Sequence, residues 1–175
     1  LNGALLDINK YELELFGEEK ENGSISYGAL EKANKGTLLI DQVSEIPLDI
    51  QSKILRVLID QKFKRVKGSN DVSVDVRLIC SSSKDLKKEI EIGNFREDLF
   101  HRINVFEINI EPLSQRISDI PLLIKYFSKK ISENYKIKKL DIDENNSYIL
   151  NHNWHGNVRE LRNLIERIAI LQPET

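Results

Sequence analysis

Asp41 closes a short apolar run, Thr37-Leu38-Leu39-Ile40-Asp41, that follows Lys35-Gly36. A continuous apolar run of this length behind a turn suits a strand buried on both faces, as in a parallel sheet. Open α/β sheets bind ligands at the C-terminal ends of their strands. A carboxylate there can hold the Mg²⁺ of a bound nucleotide, usually through a water, because a hard cation prefers oxygen ligands. The run alone better fits an Asp that ends a strand and caps the next turn. Gln42 comes next; an amide can hydrogen-bond a water but cannot accept its proton. A second apolar run, Arg77 to Cys80, leads into Ser81-Ser82-Ser83. Two arginines, Arg96 and Arg102, stand at i and i+6 in FREDLFHR, with Glu97 and Asp98 at hand for ordinary surface pairing. Arg159 sits at the start of a helical stretch, in Gly156-Asn157-Val158-Arg159.

Other reactive side chains offer less. His101, His152 and His155 have no cysteine or paired carboxylates at ligand spacing, so they read as exposed or packing residues rather than metal ligands. Cys80 is the single cysteine, which rules out an internal disulfide and fits a reducing compartment. Phe95, Phe100, Phe106, Tyr126 and Phe127 follow helix and strand faces, which packing explains better than base stacking.

These residues need a scaffold, and the hydrophobic periodicity outlines one. Leu48 to Asp60 places Ile50, Ile54, Leu55, Leu58 and Ile59 on one helical stripe after Pro47. Phe63 to Val66 and Val72 to Val76 alternate around Lys67-Gly68-Ser69-Asn70, a hairpin pattern. Arg77 to Cys80 is a second buried strand, Lys84 to Ile92 a helix closed by Gly93, and Val105 to Ile110 a third strand. Glu18 to Ser26 is polar and without period, an exposed loop. Beyond Pro112 no strand is expected, and helices are predicted over 119–135, 147–152 and 157–171. The chain therefore divides into an α/β part, 1–112, and a helical part, 113–175.

Composition sets the frame. Of the 175 residues, 40% are hydrophobic and 31% charged, enough for one domain with a helical appendage. A net charge of −2 lacks the basic excess that a nucleic-acid or membrane surface requires. No apolar run is long enough to cross a bilayer and no signal-peptide pattern opens the chain, so a cytoplasmic location is expected. The first residue is Leu1 rather than Met, which reads as a piece of a longer protein.

Leu15-Phe16-Gly17 and the run from Gly28 to Asp41 (GALEKANKGTLLID) resemble the AAA+ domain of sigma-54-dependent activators. That family reads ELFG, then G-x-F-E-x-A-x-G-G-T-L-F-L-D-E. Further blocks follow in family order: QSKILRVL from Gln51, FKRVKG from Phe63, VDVRLI from Val74, FREDLFHRINVF from Phe95, DIPLL from Asp119 and WHGNVRELRNLIER from Trp154. The resemblance implies a AAA+ P-loop NTPase-type parallel sheet followed by a small helical lid, with ATP and Mg²⁺ as cofactors bound between them. It implies that the stretch Ala33, Asn34, Lys35, Gly36, Thr37, Leu38, Leu39, Ile40, Asp41 and Gln42 belongs to the nucleotide-binding region. Asp41 then matches the Walker B aspartate that holds the metal, and Gln42 stands where the family has the catalytic glutamate. Ser83 takes the sensor I position, usually asparagine. Arg96 and Arg102 match arginine-finger candidates that act on a neighbouring subunit's nucleotide, and Arg159 matches sensor II in cis. His155 replaces the family's usual proline.

Departures from the family pattern matter as much. No G-x-x-x-x-G-K phosphate loop occurs in these residues; in the family it lies upstream of the position matching Asn2, so this chain alone is expected to bind ATP poorly. Between Gly17 and Gly28 the family carries a G-A-F-T-G-A loop that engages sigma-54, whereas here Glu18 to Tyr27 has no aromatic-threonine tip. Together with Gln42, this makes the chain most similar to NtrX-type nitrogen-regulation response regulators, which carry a receiver domain in front and a DNA-binding domain behind.

That similarity implies a module that self-associates as a dimer or ring, reaches DNA only through a separate domain outside these residues, and has no membrane partner. On this reading hydrolysis is weak and sigma-54 remodelling is lost. Two further readings stay open: an active ATPase that remodels RNA polymerase holoenzyme, with Glu45 as a substitute base, and a dimerisation scaffold indifferent to nucleotide.

Overall fold

The computed structural model describes residues 1–5, 10–135, 140 and 142–171. In chain order the elements are α1 (Tyr11–Phe16), β1 (Glu18–Glu19), β2 (Ile25–Ser26), α2 (Ala29–Lys32), β3 (Gly36–Ile40), α3 (Leu48–Asp60), β4 (Lys62–Lys64), β5 (Asp71–Ser73), β6 (Val76–Cys80), α4 (Leu86–Glu91), α5 (Glu97–Ile103), α6 (Ile120–Tyr135), α7 (Ser147–Leu150) and α8 (Asn157–Leu171). They fall into two compact units, Leu1–Glu107 and Ile108–Thr175. The first is α/β with a parallel pair at its centre; the second is helical.

In the first unit the two apolar runs become β3 and β6, which pair in parallel with Gly36 opposite Val76 and Ile40 opposite Cys80. Period-two alternation sends Leu38 and Ile40 into the core. The opposite face carries Thr37, Leu39, Arg77 and Ile79, and Leu39 is 51% exposed. Burial on both faces was expected; among the described residues only one face is covered. The other edge of β3 is lined by the first residues of the chain. Asp41 donates its N–H to the Leu1 carbonyl at 2.9 Å, and Gly3 donates to the Asp41 carbonyl at 2.7 Å. A side chain at Gly3 would collide with the Gln42 carbonyl oxygen, so this close approach needs glycine.

Helix α3 forms over the expected span, but its buried stripe differs. Ile50, Gln51, Ile54 and Val57 are buried, Leu55 and Leu58 half-buried, and Ile59 is 61% exposed. At about 100° per residue, Ile59 lies roughly opposite Ile50 on the helix, so no single face can hold both. Gln51, fully buried, makes a hub. Its Nε2 donates to the carbonyls of Ile46 (2.7 Å) and Asn94 (3.0 Å), while its Oε1 accepts from the Arg96 N–H at 2.9 Å. A buried amide is tolerable when its donors and acceptor are satisfied in this way.

The segment expected as an exposed loop forms the β1–β2 hairpin, with Glu18 opposite Ser26. At its base Gly17 adopts φ +73°, and a side chain on Gly28 would meet the Leu15 carbonyl oxygen. The hairpin is fastened to the chain after β4. Glu19 donates its N–H to Val66 (3.0 Å), Val66 donates to Gly17 (3.0 Å), and Lys67 pairs with Glu18 at 2.7 Å. Strands β4 and β5 form the expected antiparallel hairpin.

The third strand expected over Val105 to Ile110 does not form. Val105 is 87% and Phe106 83% exposed, and no strand among the described residues lies beside them to complete a ladder. By compactness the two units divide after Glu107. In the second unit α6 and α8 pack through Ile120, Ile124, Ile131, Leu161, Ile165 and Ala169. Trp154 fills the same core and donates its indole N–H to the Ile149 carbonyl at 3.0 Å. Helix α7 stops at Leu150, capped at its start by the Asn146 side chain.

Replacing Gln51 by Leu leaves two carbonyls and the Arg96 N–H without their buried partner. We expect a loss of about 3 kcal/mol in urea unfolding at unchanged m-value. A loss below about 1 kcal/mol would show that these groups find water instead.

Candidate functional site

The parallel register carries two strand ends to one edge of the first unit. With Ile40 opposite Cys80, the next residues, Asp41 and Ser81, face each other. Asp41 Oδ1 accepts from the Ser81 hydroxyl, and Oδ2 accepts from Asn2 Nδ2 at 2.9 Å. The Gln42 N–H donates to Ser81 Oγ at 3.3 Å. The Gln42 side chain turns to the other strand end, where its Oε1 accepts from the Ser83 hydroxyl (2.8 Å) and the Ser83 N–H (3.2 Å). Asn2, Asp41, Gln42, Ser81 and Ser83 thus form one network. Of these, Asp41, Gln42 and Ser83 were expected. Asn2 and Ser81 were not, although the equal lengths of the two runs placed a serine opposite the aspartate.

Gln42 has φ +57° and ψ +55°, in the left-handed region. For a residue with a Cβ this costs on the order of 1 kcal/mol. The bonds from its N–H and Oε1 to the serines hold it there, so the amide has a fixed placement.

The Asp41 carboxylate is half-buried and each oxygen carries one hydrogen bond, which leaves lone pairs for a water or cation. Among the described residues no cluster of three or more His, Cys, Asp or Glu could hold a metal ion. This donor set, with a single carboxylate among the described residues of the network, would fit a Mg²⁺ that arrives with other ligands, such as the phosphates of a nucleotide, and does not fit an ion caged by protein alone.

The remaining expected residues take other places. Ala33 to Thr37 lie at the opposite end of β3, roughly 15 Å along the strand from Asp41 at 3.3 Å per residue. There the Asn34 Oδ1 accepts from the Asp75 N–H (2.9 Å) and the Lys35 N–H donates to the Asp75 carbonyl (2.7 Å), tying the entries of β3 and β6 together. Leu38 and Ile40 belong to the core. These residues position Asp41 within the first unit; the structure does not bring them beside it.

Arg96 forms a two-pronged pair with Asp98 (2.9 and 2.6 Å), which lowers the Asp98 carboxyl below its usual range through the hydrogen bond. Arg102 donates to the Leu58 carbonyl in the last turn of α3 at 2.9 Å. Glu45 is paired with Lys84 at 2.9 Å. In the second unit, Arg159 is exposed and lines a cavity of about 520 Å³ with Trp154, Asn163 and Arg167. His152 bonds Glu160 at 2.8 Å, and Glu160 accepts the Gly156 N–H at 2.8 Å, so both hydrogen bonds hold its carboxyl in the charged form. His101 faces Glu97 at 3.7 Å.

The comparisons agree with this architecture. Residues 1–109 match the Sigma-54 interaction domain and residues 114–175 the AAA+ ATPase lid domain. The chain belongs to the sigma-54 interaction domain family of AAA+ proteins, with its lid. It is 42% identical over 173 residues to the nitrogen assimilation regulatory protein NtrX of Azorhizobium caulinodans, covering 98% of this chain and 38% of that protein. Crystal structures of NtrX from Brucella abortus superpose on it. The complex with ATP gives a TM-score of 0.89 at 44% identity, covering 98% of this chain and 40% of that one. The complex with ADP gives 0.90 at 40% identity, covering 100% and 39%. The chain therefore spans well under half the length of these relatives.

Cys80, last residue of β6 and neighbour of Ser81, has its thiol pushed up to about 11 by burial. In the folded protein it should resist iodoacetamide at pH 8 and react quickly in urea. Because the folded value lies above that of the unfolded chain, this group stabilises the fold fully below pH 8.5 or so and loses that contribution as pH rises toward 11. Fast labelling without denaturant would contradict the burial.

Proposed function

We propose that this chain is the central nucleotide-binding module of an NtrX-like two-component transcription regulator, in which ATP or ADP biases assembly of the regulator on DNA. One observation carries the reading. At the paired strand ends a carboxylate suited to a nucleotide-borne Mg²⁺ stands beside an amide where hydrolysis calls for a carboxylate.

Mg²⁺, when bound, supplies charge neutralisation at the phosphates. Asp41 would be the carboxylate that holds it. Gln42 cannot take a proton from an attacking water, and Glu45 is already occupied by Lys84, which supports slow hydrolysis. The relatives from Brucella abortus solved with ATP and with ADP support nucleotide binding by a fold of this kind. The short hairpin Glu18–Ser26, with the polar tip Lys20-Glu21-Asn22, supports loss of sigma-54 remodelling, since such a tip offers no apolar anchor.

Self-association supplies the remaining roles. Arg96 and Arg102 are the candidates for contact with a neighbouring copy's phosphates. The Arg96–Asp98 pair is exposed, and exposed ion pairs are worth little, so exchanging Asp98 for phosphate is cheap. Arg159 is the candidate phosphate sensor of the lid. DNA is contacted by a separate domain outside these residues.

In the complete protein we expect Mg²⁺-dependent ATP binding with turnover far below that of a working ATPase. Asp41→Ala should weaken MgATP binding about tenfold or more. Gln42→Glu should raise steady-state turnover by about 100-fold, the lower end of what a general base contributes. Vigorous wild-type turnover lost in Asp41→Ala would refute slow hydrolysis, and calorimetry showing no binding of ATP or ADP would refute the nucleotide role.

A further inference from the structure

The amide of Gln42 has a defined orientation, and the orientation decides which chemistry it offers. Its Oε1 accepts from the backbone N–H of Ser83 at 3.2 Å. A backbone N–H can only donate, so the atom facing it must be the oxygen, and the two ends of the amide cannot be exchanged. The Ser83 hydroxyl, 2.8 Å from the same oxygen, fills its second lone pair. What remains of the side chain is Nε2 with two hydrogens. Neither has an acceptor among the described residues, and Gln42 is only half-buried.

Beside it, both oxygens of Asp41 are engaged by Asn2 and Ser81. The strand ends therefore present a fixed pair: an anionic carboxylate and, at the next residue, a neutral N–H donor whose own oxygen is turned away into β6's exit. A site that must activate water needs an acceptor at that second position. This one supplies a donor, which suits a phosphate oxygen.

We propose that Gln42 Nε2 is a phosphate-reading donor that lets the module distinguish a nucleoside triphosphate from a diphosphate, and that Ser83 is the positioning residue that keeps the donor end outward. This rests on the nucleotide-binding role proposed above and deepens it. Replacement of the usual carboxylate then removes water activation and adds a contact to the terminal phosphate, so the module stores the triphosphate state rather than consuming it. Ser83 holds the amide by its N–H and its hydroxyl; without the hydroxyl the oxygen keeps one weaker bond and the amide rotates more freely.

The test is calorimetric titration of the complete protein with MgADP and with MgATPγS, giving the ratio of the two affinities. Gln42→Leu removes the donor without adding charge, and Gln42→Glu replaces it with an anionic acceptor that Ser83 can still bind. Both should lower the triphosphate preference about tenfold, as expected for a lost hydrogen bond to a charged group, with the larger fall in Gln42→Glu. ADP affinity should stay within about twofold, which also reports that each variant is folded. Ser83→Ala should lower the preference partway and Ser83→Thr should restore it. An unchanged ratio in Gln42→Leu and Gln42→Glu, with wild type binding both nucleotides, overturns the donor role and leaves the nucleotide-binding reading intact. Equal losses for ADP and ATPγS also overturn it, because the residue would then be merely structural. Failure of wild type to bind either ligand overturns both.

Discussion

The parallel pairing of β3 with β6 is the constraint from which the rest of the first unit follows. Once Ile40 lies opposite Cys80, the side chains of Asp41 and Ser81 have to meet, and Gln42 and Ser83 are brought within reach of each other across the same edge. A slip of one residue would turn Leu38 and Ile40 out of the core and bring Thr37 and Leu39 inward in their place. Burial of Leu38 and Ile40 thus specifies the register, and the register specifies the polar network. Apolar packing and site geometry are one determination here.

A second layer keeps the surrounding segments in place. Gln51 does this from inside α3, joining the turn at Ile46, the bend at Asn94 and the start of α5 at Arg96. The backbone position of Arg96 is therefore set by the core, while its guanidinium is free to trade one exposed partner for another. Arg65 and Glu31 act similarly on the other side. Their two-pronged pair (3.0 and 2.6 Å) is largely buried and ties α2 to the segment after β4, with Tyr27 beneath the guanidinium. Fully paired and partly desolvated, it is a stronger fastening than the solvent-exposed pairs around it.

Much of this was legible in the chain itself. The span of α3, the β4–β5 hairpin, the two parallel strands and the helices of the second unit follow from periodicity and from breakers such as Pro47, Gly68 and Gly93. Asp41 was recognisable as a strand-end carboxylate. The family blocks assigned Gln42, Ser83, Arg96, Arg102 and Arg159 to positions without saying what each touches. The misreadings share one cause, which is that local pattern cannot see the third dimension. Val105 to Ile110 alternates like a strand but has no described partner; Ile59 is apolar but faces away; and Glu18 to Ser26 lacks periodicity yet pairs with itself and with Val66.

The sequence by itself determined which residue types stand at the strand ends, the amide at 42 in place of an acid, and the short polar segment between Gly17 and Gly28. Those are properties of composition and spacing, fixed before any folding. Only tertiary structure decided that Asn2 and Ser81 share Asp41, that Ser83 captures the oxygen of Gln42 and not its nitrogen, and that Arg102 caps α3. The physical reason is that hydrogen bonds are directional and join residues some forty positions apart, so their partners exist only once the sheet has brought the chain ends of its strands together.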